Sequence, residues 1–168
     1  MQTQENAQMS TAYTIECIGA DGQVKWSEEF HNLVTTAGLN DLLTQYFKGS
    51  AYTAAFYVGV TGATPTFAAG DTMASHAGWT ESSAYSQATR PALTLGTAAS
   101  GSIDNSASKA QFSINATATI GGAFLATNST KGGTTGTLYG GGAFTEGNRS
   151  VVSGDTINVQ ATLTAASA

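Results

Sequence analysis

The stretch DTINVQATLT, residues 155–164, sets apolar side chains at every second position. Ile157, Val159, Ala161 and Leu163 share one side, and Asn158, Gln160, Thr162 and Thr164 share the other. Successive side chains leave a strand on opposite faces, so this period belongs to a strand with one buried face. The alternation recurs in YTIECIGADGQVKWSEEF, through Tyr13, Ile15 and Cys17, then Val24, Trp26 and, less regularly, Phe30. Asp21-Gly22 between the two runs supplies the positive φ values of a tight turn, which predicts a β-hairpin with Cys17 as a small core residue. YTAAFYVGV reads as a buried strand. PALTLGTA, KAQFSINATATI, GAFLAT, GTLYGGGAF and SVVS read as further strands, separated by Gly-, Asn- and Ser-rich turns. Many short strands at such spacing predict an all-β fold, a β-sandwich or jelly-roll-like domain.

One segment breaks the period. In TTAGLNDLLTQYFKGS, Leu39, Leu42, Leu43, Tyr46 and Phe47 fall at helical spacing. Thr35 or Thr36 is placed to cap the start and Gly49 to end it. A short amphipathic helix is expected, held by packing its apolar face on a sheet, so that Leu42→Asp would badly weaken the domain. Residues 61–89 read as a long excursion with little regular structure, its Phe67, Trp79 and Tyr85 packing downward. Residues 1–11, MQTQENAQMST, have few apolar anchors and read as a flexible N-terminal arm, either an untethered terminus or a segment that orders on a partner; deleting residues 2–11 is expected to spare the fold and reduce partner binding. Residues 12–168 then form one β-sandwich domain.

Charge narrows the function classes. Only 10% of residues are charged against 41% hydrophobic, and the formal net charge is −5. The six basic residues, Lys25, Lys48, Arg90, Lys109, Lys131 and Arg149, are scattered singly, so no basic stripe exists for phosphate and no nucleic-acid partner is expected. With one cysteine there is no intrachain disulfide. The N-terminus lacks the basic-then-apolar pattern of a signal peptide, and no apolar run approaches a membrane span. A protein made in a cytoplasm, with no membrane partner, is expected.

The search for chemistry returns no catalytic, cofactor-binding or metal residues. His31 and His76 have no HxxxH or HxH spacing, and a metal site would need them to meet Asp71 or Glu81. A Cys17–His31 pair across the hairpin lacks a third orienting group. There is no GxSxG elbow. KGGTTG puts its lysine before the glycines, the reverse of a P-loop, and YGGGAF lacks the strand-then-helix setting of a dinucleotide site; both read as turns or close-approach strand positions. Asn115, Asn128 and Asn148 head chance glycosylation patterns. Glu28-Glu29 and Asp71 form no assignable acid pair for sugar hydrolysis. A Thr-, Ala- and Gly-rich surface instead suits broad contacts, since small side chains lose little rotamer freedom when covered.

HNLVTTAGLNDLL, FYVGVTG, GWTESSAYSQATRPAL and VVSGDTINVQATLT, in that order and spacing, resemble a group of tailed-bacteriophage structural proteins. The matching positions are Asn32 to Thr35, Tyr57 to Val60, Trp79 to Arg90 and Gly154 to Val159, within residues 30–164. The resemblance implies a virion protein with a β-sandwich or jelly-roll-like fold. Within that class it favours a capsid decoration (cement) protein that binds the outside of the assembled head and bridges capsomers. The major capsid protein is then the partner, and a homo-oligomer, dimer or trimer, the form. The alternative is a tail, baseplate or fibre component with Trp79 and Tyr85 as a carbohydrate-stacking tip. A polysaccharide depolymerase ranks last.

Overall fold

The structure, a computed structural model, describes residues 7–48 and 55–167. Strand β1 (Ala7–Ile18) turns through Asp21-Gly22 into β2 (Val24–His31). Gly22 takes φ +79°, and the Asp21 carboxylate accepts from the Gln23 amide. The short β3 (Leu33–Val34) leads into α1 (Thr36–Lys48) and β4 (Tyr57–Thr61). Then follow β5 (Ser102–Asp104), β6 (Ala110–Ser113), β7 (Ala118–Ile120), β8 (Gly122–Ala126), β9 (Leu138–Ala143), β10 (Arg149–Val151) and β11 (Thr156–Ser167).

These strands form an all-β, sandwich-like fold with two main antiparallel sheets. One has the order β2-β1-β11, with β5 and β6 both paired to β11 on its far side. The other has the order β3-β9-β8-β4, and β7 pairs with β10 apart from both. The alternation seen in the sequence decides which face points inward. Tyr13, Ile15 and Cys17 of β1 and Ile157, Val159 and Ala161 of β11 are buried against Val58, Val60, Ala123 and Leu125 of the second sheet. Each Val, Ile or Leu among them contributes roughly 1.5–3 kcal/mol when fully removed from water, and the alanines less.

The second sheet is buried on both sides. Phe124, Ala126 and Leu138 face away from the shared core and pack with Met73, Trp79 and Phe67 of the long excursion. This is why GAFLA and LYGGG read as unbroken apolar runs. The glycines of β9 are close-approach positions: a Cβ on Gly140 would strike the Leu33 carbonyl, and one on Gly141 would strike the Phe67 ring. Residues 62–101 contain no strand, only isolated bridges such as Thr61 to Glu81 and Tyr85 to Ile114. The expected PALTLGTA strand is therefore not formed. Pro91 has no N–H to donate, and the segment instead runs beside β4, where Val58 donates to the Pro91 carbonyl and Leu93 to that of Phe56.

Two expectations change at the termini of elements. Of the predicted flexible arm, residues 1–6 lie outside the described residues, and residues 7–11 belong to β1. They pair in register with Leu163–Ser167, and Thr11 is fully buried, its backbone bonded to Asn32. A paired backbone and one inward face are enough to fix a strand that carries few large side chains.

The helix begins at its predicted cap. The Thr35 hydroxyl accepts from the Gly38 amide at 3.1 Å and donates to the Leu138 carbonyl. Gly49, expected to end it, lies outside the described residues. Contrary to expectation, the apolar face does not meet the sheet. Gly38 is the helix's buried residue, pressed so closely on Tyr139 that a Cβ would collide with its backbone. Leu39 and Tyr46 lie roughly a quarter turn further round, and Leu43 more than a third of a turn, at ~3.6 residues per turn. Leu42 is 38% exposed and lines a groove with Tyr139, so the full burial that made Leu42→Asp disruptive is not reached.

Candidate functional site

The residues weighed for chemistry are held apart or already occupied. Cys17 stands opposite Trp26 in β2, whereas His31 stands opposite Ala12, so the two never face each other. The Cys17 thiol is buried against the Asp155 carboxylate at 3.7 Å. Burial first, and then that carboxylate, push its pKa up to about 11, the opposite of an activated nucleophile. His76 stacks on Trp79 with ring centres 3.8 Å apart, and its Nδ1 meets the Trp79 carbonyl. The Asp71 carboxylate accepts from Trp79 Nε1 and from the Ala68 amide. Among the described residues no cluster of three His, Cys, Asp or Glu side chains could hold a metal. No described helix is long and apolar enough to cross a membrane.

The aromatic platform read at Trp79 and Tyr85 is not open. Trp79 is 6% exposed and packs between His76, Phe67 and Phe124. Tyr85 is buried edge-on to Phe112 under the Lys131 ammonium, which sits 4.2 Å from its ring centre. Burial, with the Glu81 charge, pushes the Tyr85 phenol upward. The glycines of KGGTTG form the turn beside this group: Gly132, at φ +70°, donates its amide to Glu81, and the Gly133 carbonyl accepts from Arg90.

What the sequence reading missed is where the few charges go. Arg90, 1% exposed, makes two bonds to Glu81 at 2.9 and 2.8 Å and donates to the Asn128 and Gly133 carbonyls. Its guanidinium also lies over the Phe124 ring at 5.3 Å. Arg149 pairs with the buried Glu28, Lys25 with the buried Asp155, and Lys109 with Glu16 at the surface. Four of the six basic residues are thus internal fasteners between distant segments. Asp155 is held below the usual carboxylate range. Burial would raise it, but the Lys25 ammonium, the Val152 amide and the Cys17 thiol together outweigh burial. The available signal was Glu28 itself, which falls in phase with Trp26 and Phe30 on the inward side of β2.

Two surfaces remain free. The outer face of the larger sheet carries, on its central strands, Gln8, Ser10, Ala12 and Thr14 beside Asn158, Gln160, Thr162 and Thr164, with Glu16, paired with Lys109, as the one charge in that phase. The second surface is α1, with Leu39, Leu43, Tyr46 and Phe47 at 41, 52, 80 and 75% exposure. A groove of about 270 Å³ runs beside the helix over Met9, Leu42, Phe56, Tyr139 and Leu163. Asp41 also lines the groove, and Glu16 stands on the outer sheet face. No protein-family model matches the chain, and no curated protein matches it.

Proposed function

We propose that the chain is a structural protein of a tailed-bacteriophage virion. It decorates the outer surface of the assembled head, contacts the major capsid protein across capsomer seams, and is made in the host cytoplasm. The observation that carries this reading is the outer face of the β1–β11 sheet. It is broad and built of Thr, Ser, Ala, Asn and Gln side chains, and Glu16, the one charge on the outer face of its central strands, is already paired with Lys109. Such a face loses little side-chain entropy on contact and needs no ion partner. Repetition over many copies on one particle lets modest contacts add. The resemblance of Asn32–Thr35, Tyr57–Val60, Trp79–Arg90 and Gly154–Val159 to phage structural proteins supports the setting.

Mixing the purified chain with expanded, undecorated heads and pelleting them tests the proposal. Co-sedimentation to saturation, abolished by Thr14→Arg with Thr162→Arg on the outer face, is the expected result. A chain that stays in the supernatant while heads pellet overturns it.

A further inference from the structure

The long excursion runs beside the edge of β6 and then leaves it. Residues 84–86 lie antiparallel to that edge: Asn115 donates to the Ala84 carbonyl, and Ser86 donates to that of Ser113. In a continued antiparallel ladder the Ser113 amide would next meet the Ser86 carbonyl, and the Gln111 carbonyl would meet the Ala88 amide. One side chain takes both places. Gln87 Oε1 accepts from the Ser113 amide at 3.1 Å, and Gln87 Nε2 donates to the Gln111 carbonyl at 3.2 Å and to Ser113 Oγ at 3.3 Å. We propose that Gln87 is an edge guard: its amide stands in for the peptide group of a neighbouring strand and shuts β6 against a strand of another polypeptide.

The path of the excursion explains why a side chain is needed at this point. Elsewhere main chain does the covering: residues 80–82 and 91–93 bond along β4, and residues 96–99 bond along β5. Beyond Ser86 the chain must turn inward, because Arg90 has to reach Glu81 and the Asn128 and Gly133 carbonyls. Thr89 bridges Thr130, and the Arg90 amide donates to the Ser129 carbonyl. The backbone therefore abandons β6 before it can serve Gln111. A row of unpaired N–H and C=O groups on a strand edge is a template for another strand. The usual deterrents are missing from β6: its sequence AQFS holds no charge and no proline, and Lys109 just before it is tied to Glu16. A glutamine amide carries the donor and the acceptor of a peptide unit, so it can complete the edge after the backbone has left.

The guard acts on the free chain, so its test uses the full chain without heads and stands apart from head binding. Hydrogen exchange read by NMR is the first measurement. The Ser113 amide is expected to be protected in the wild-type chain, and Gln87→Ala to speed its exchange about tenfold. Sedimentation velocity is the second. Gln87→Ala is expected to associate further as its concentration rises, while the wild-type chain keeps its mass over the same range. Gln87→Lys separates guarding from ordinary stabilisation. Its ammonium cannot accept from Ser113, so exchange there is fast, but it sets a charge on the edge, a barrier that sheet edges commonly carry. The lysine variant is expected to keep the wild-type mass. Equal Ser113 exchange in the wild-type and alanine chains overturns the proposal. So does an alanine variant that keeps the wild-type mass at every concentration, or a lysine variant that associates as readily as the alanine one. If the alanine variant unfolds, the wild-type and lysine chains decide: a difference of about tenfold at Ser113 upholds the proposal and equal rates overturn it.

Discussion

Removing the Arg90 guanidinium leaves the Glu81 carboxylate among apolar side chains, with only the Gly132 amide and the Tyr85 hydroxyl as partners. It also strips the donors from the Asn128 and Gly133 carbonyls. Breaking a buried pair from one side costs about 3–5 kcal/mol, because an uncompensated charge remains. Arg90→Met is therefore expected to lower the urea-unfolding free energy by that amount. Lys109→Met, whose pair with Glu16 is about one-third exposed on both sides, costs about 0–1 kcal/mol. Equal losses in the two variants would show that Arg90 does not fasten the excursion. Asp155 makes a second residue-level prediction. Its carboxyl is held low and the Lys25 ammonium, hydrogen-bonded to it, is held high. The Asp155 contribution is present above the unfolded value of about 3.9 and is lost as pH falls through the lower folded value. The Lys25 contribution is present below about 10.4 and is lost as pH rises through the higher folded value. Thermal melts across pH are expected to show both limbs, and Asp155→Asn to flatten them.

At the scale of elements, β1 and α1 reverse what their sequences suggest. Residues 7–11 hold one large apolar side chain, Met9, yet they complete β1 against Leu163–Ser167. A chain starting at Ala12 loses those pairs and both backbone bonds between Thr11 and Asn32, worth about 1 kcal/mol each. The midpoint of thermal unfolding is expected to fall by about 4–8 °C, at ~2–4 °C per kcal/mol, relative to a chain starting at Ala7. An unchanged midpoint would return residues 7–11 to the status of an arm. The strands were legible because alternation reports directly on burial: Tyr13, Ile15 and Cys17 point where their period says. The hairpin turn was legible in Asp21-Gly22, and the cap of α1 in Thr35. The orientation of α1 was not. Helical spacing states that Leu39, Leu42, Leu43, Tyr46 and Phe47 share a side, but not that this side meets the body. The contact is made by Gly38, which has no side chain to register in a hydrophobic pattern. The ion pairs were hidden for a related reason. Arg90 and Glu81, or Lys25 and Asp155, meet only through the tertiary fold, and a sparse charge on a β chain looks the same whether it faces solvent or a buried partner.

On the scale of the whole molecule, the first and last described strands lie side by side at the centre of one sheet. The sheet is therefore complete only when the two ends of the chain have met, a non-local pairing of the kind that folds slowly. The same pair divides the molecule into two working sides. Inward-phase Met9 and Leu163 line the groove beside α1, while Thr14, Gln160 and Thr162 lie on the opposite, outer face. The outer face is the one by which we propose that the chain clamps neighbouring capsomers. The chemistry of the outer face sets how such a clamp responds to salt. Four of the six basic side chains are already tied to acids within the chain, and the one acid on the outer face of the central strands, Glu16, is among those paired. Raising the salt from about 0.1 M to about 1 M shortens the Debye length from ~10 Å to ~3 Å and removes most attraction between exposed charges. The fraction of chain pelleting with expanded heads is expected to stay within about twofold over that range, because shape and small-residue contact are insensitive to screening. Release of the chain at 1 M salt would mean that exposed acids such as Glu29 steer the attachment, and the contact would then have to be moved from the Thr- and Gln-rich centre of the face to the charged margin of the sheet.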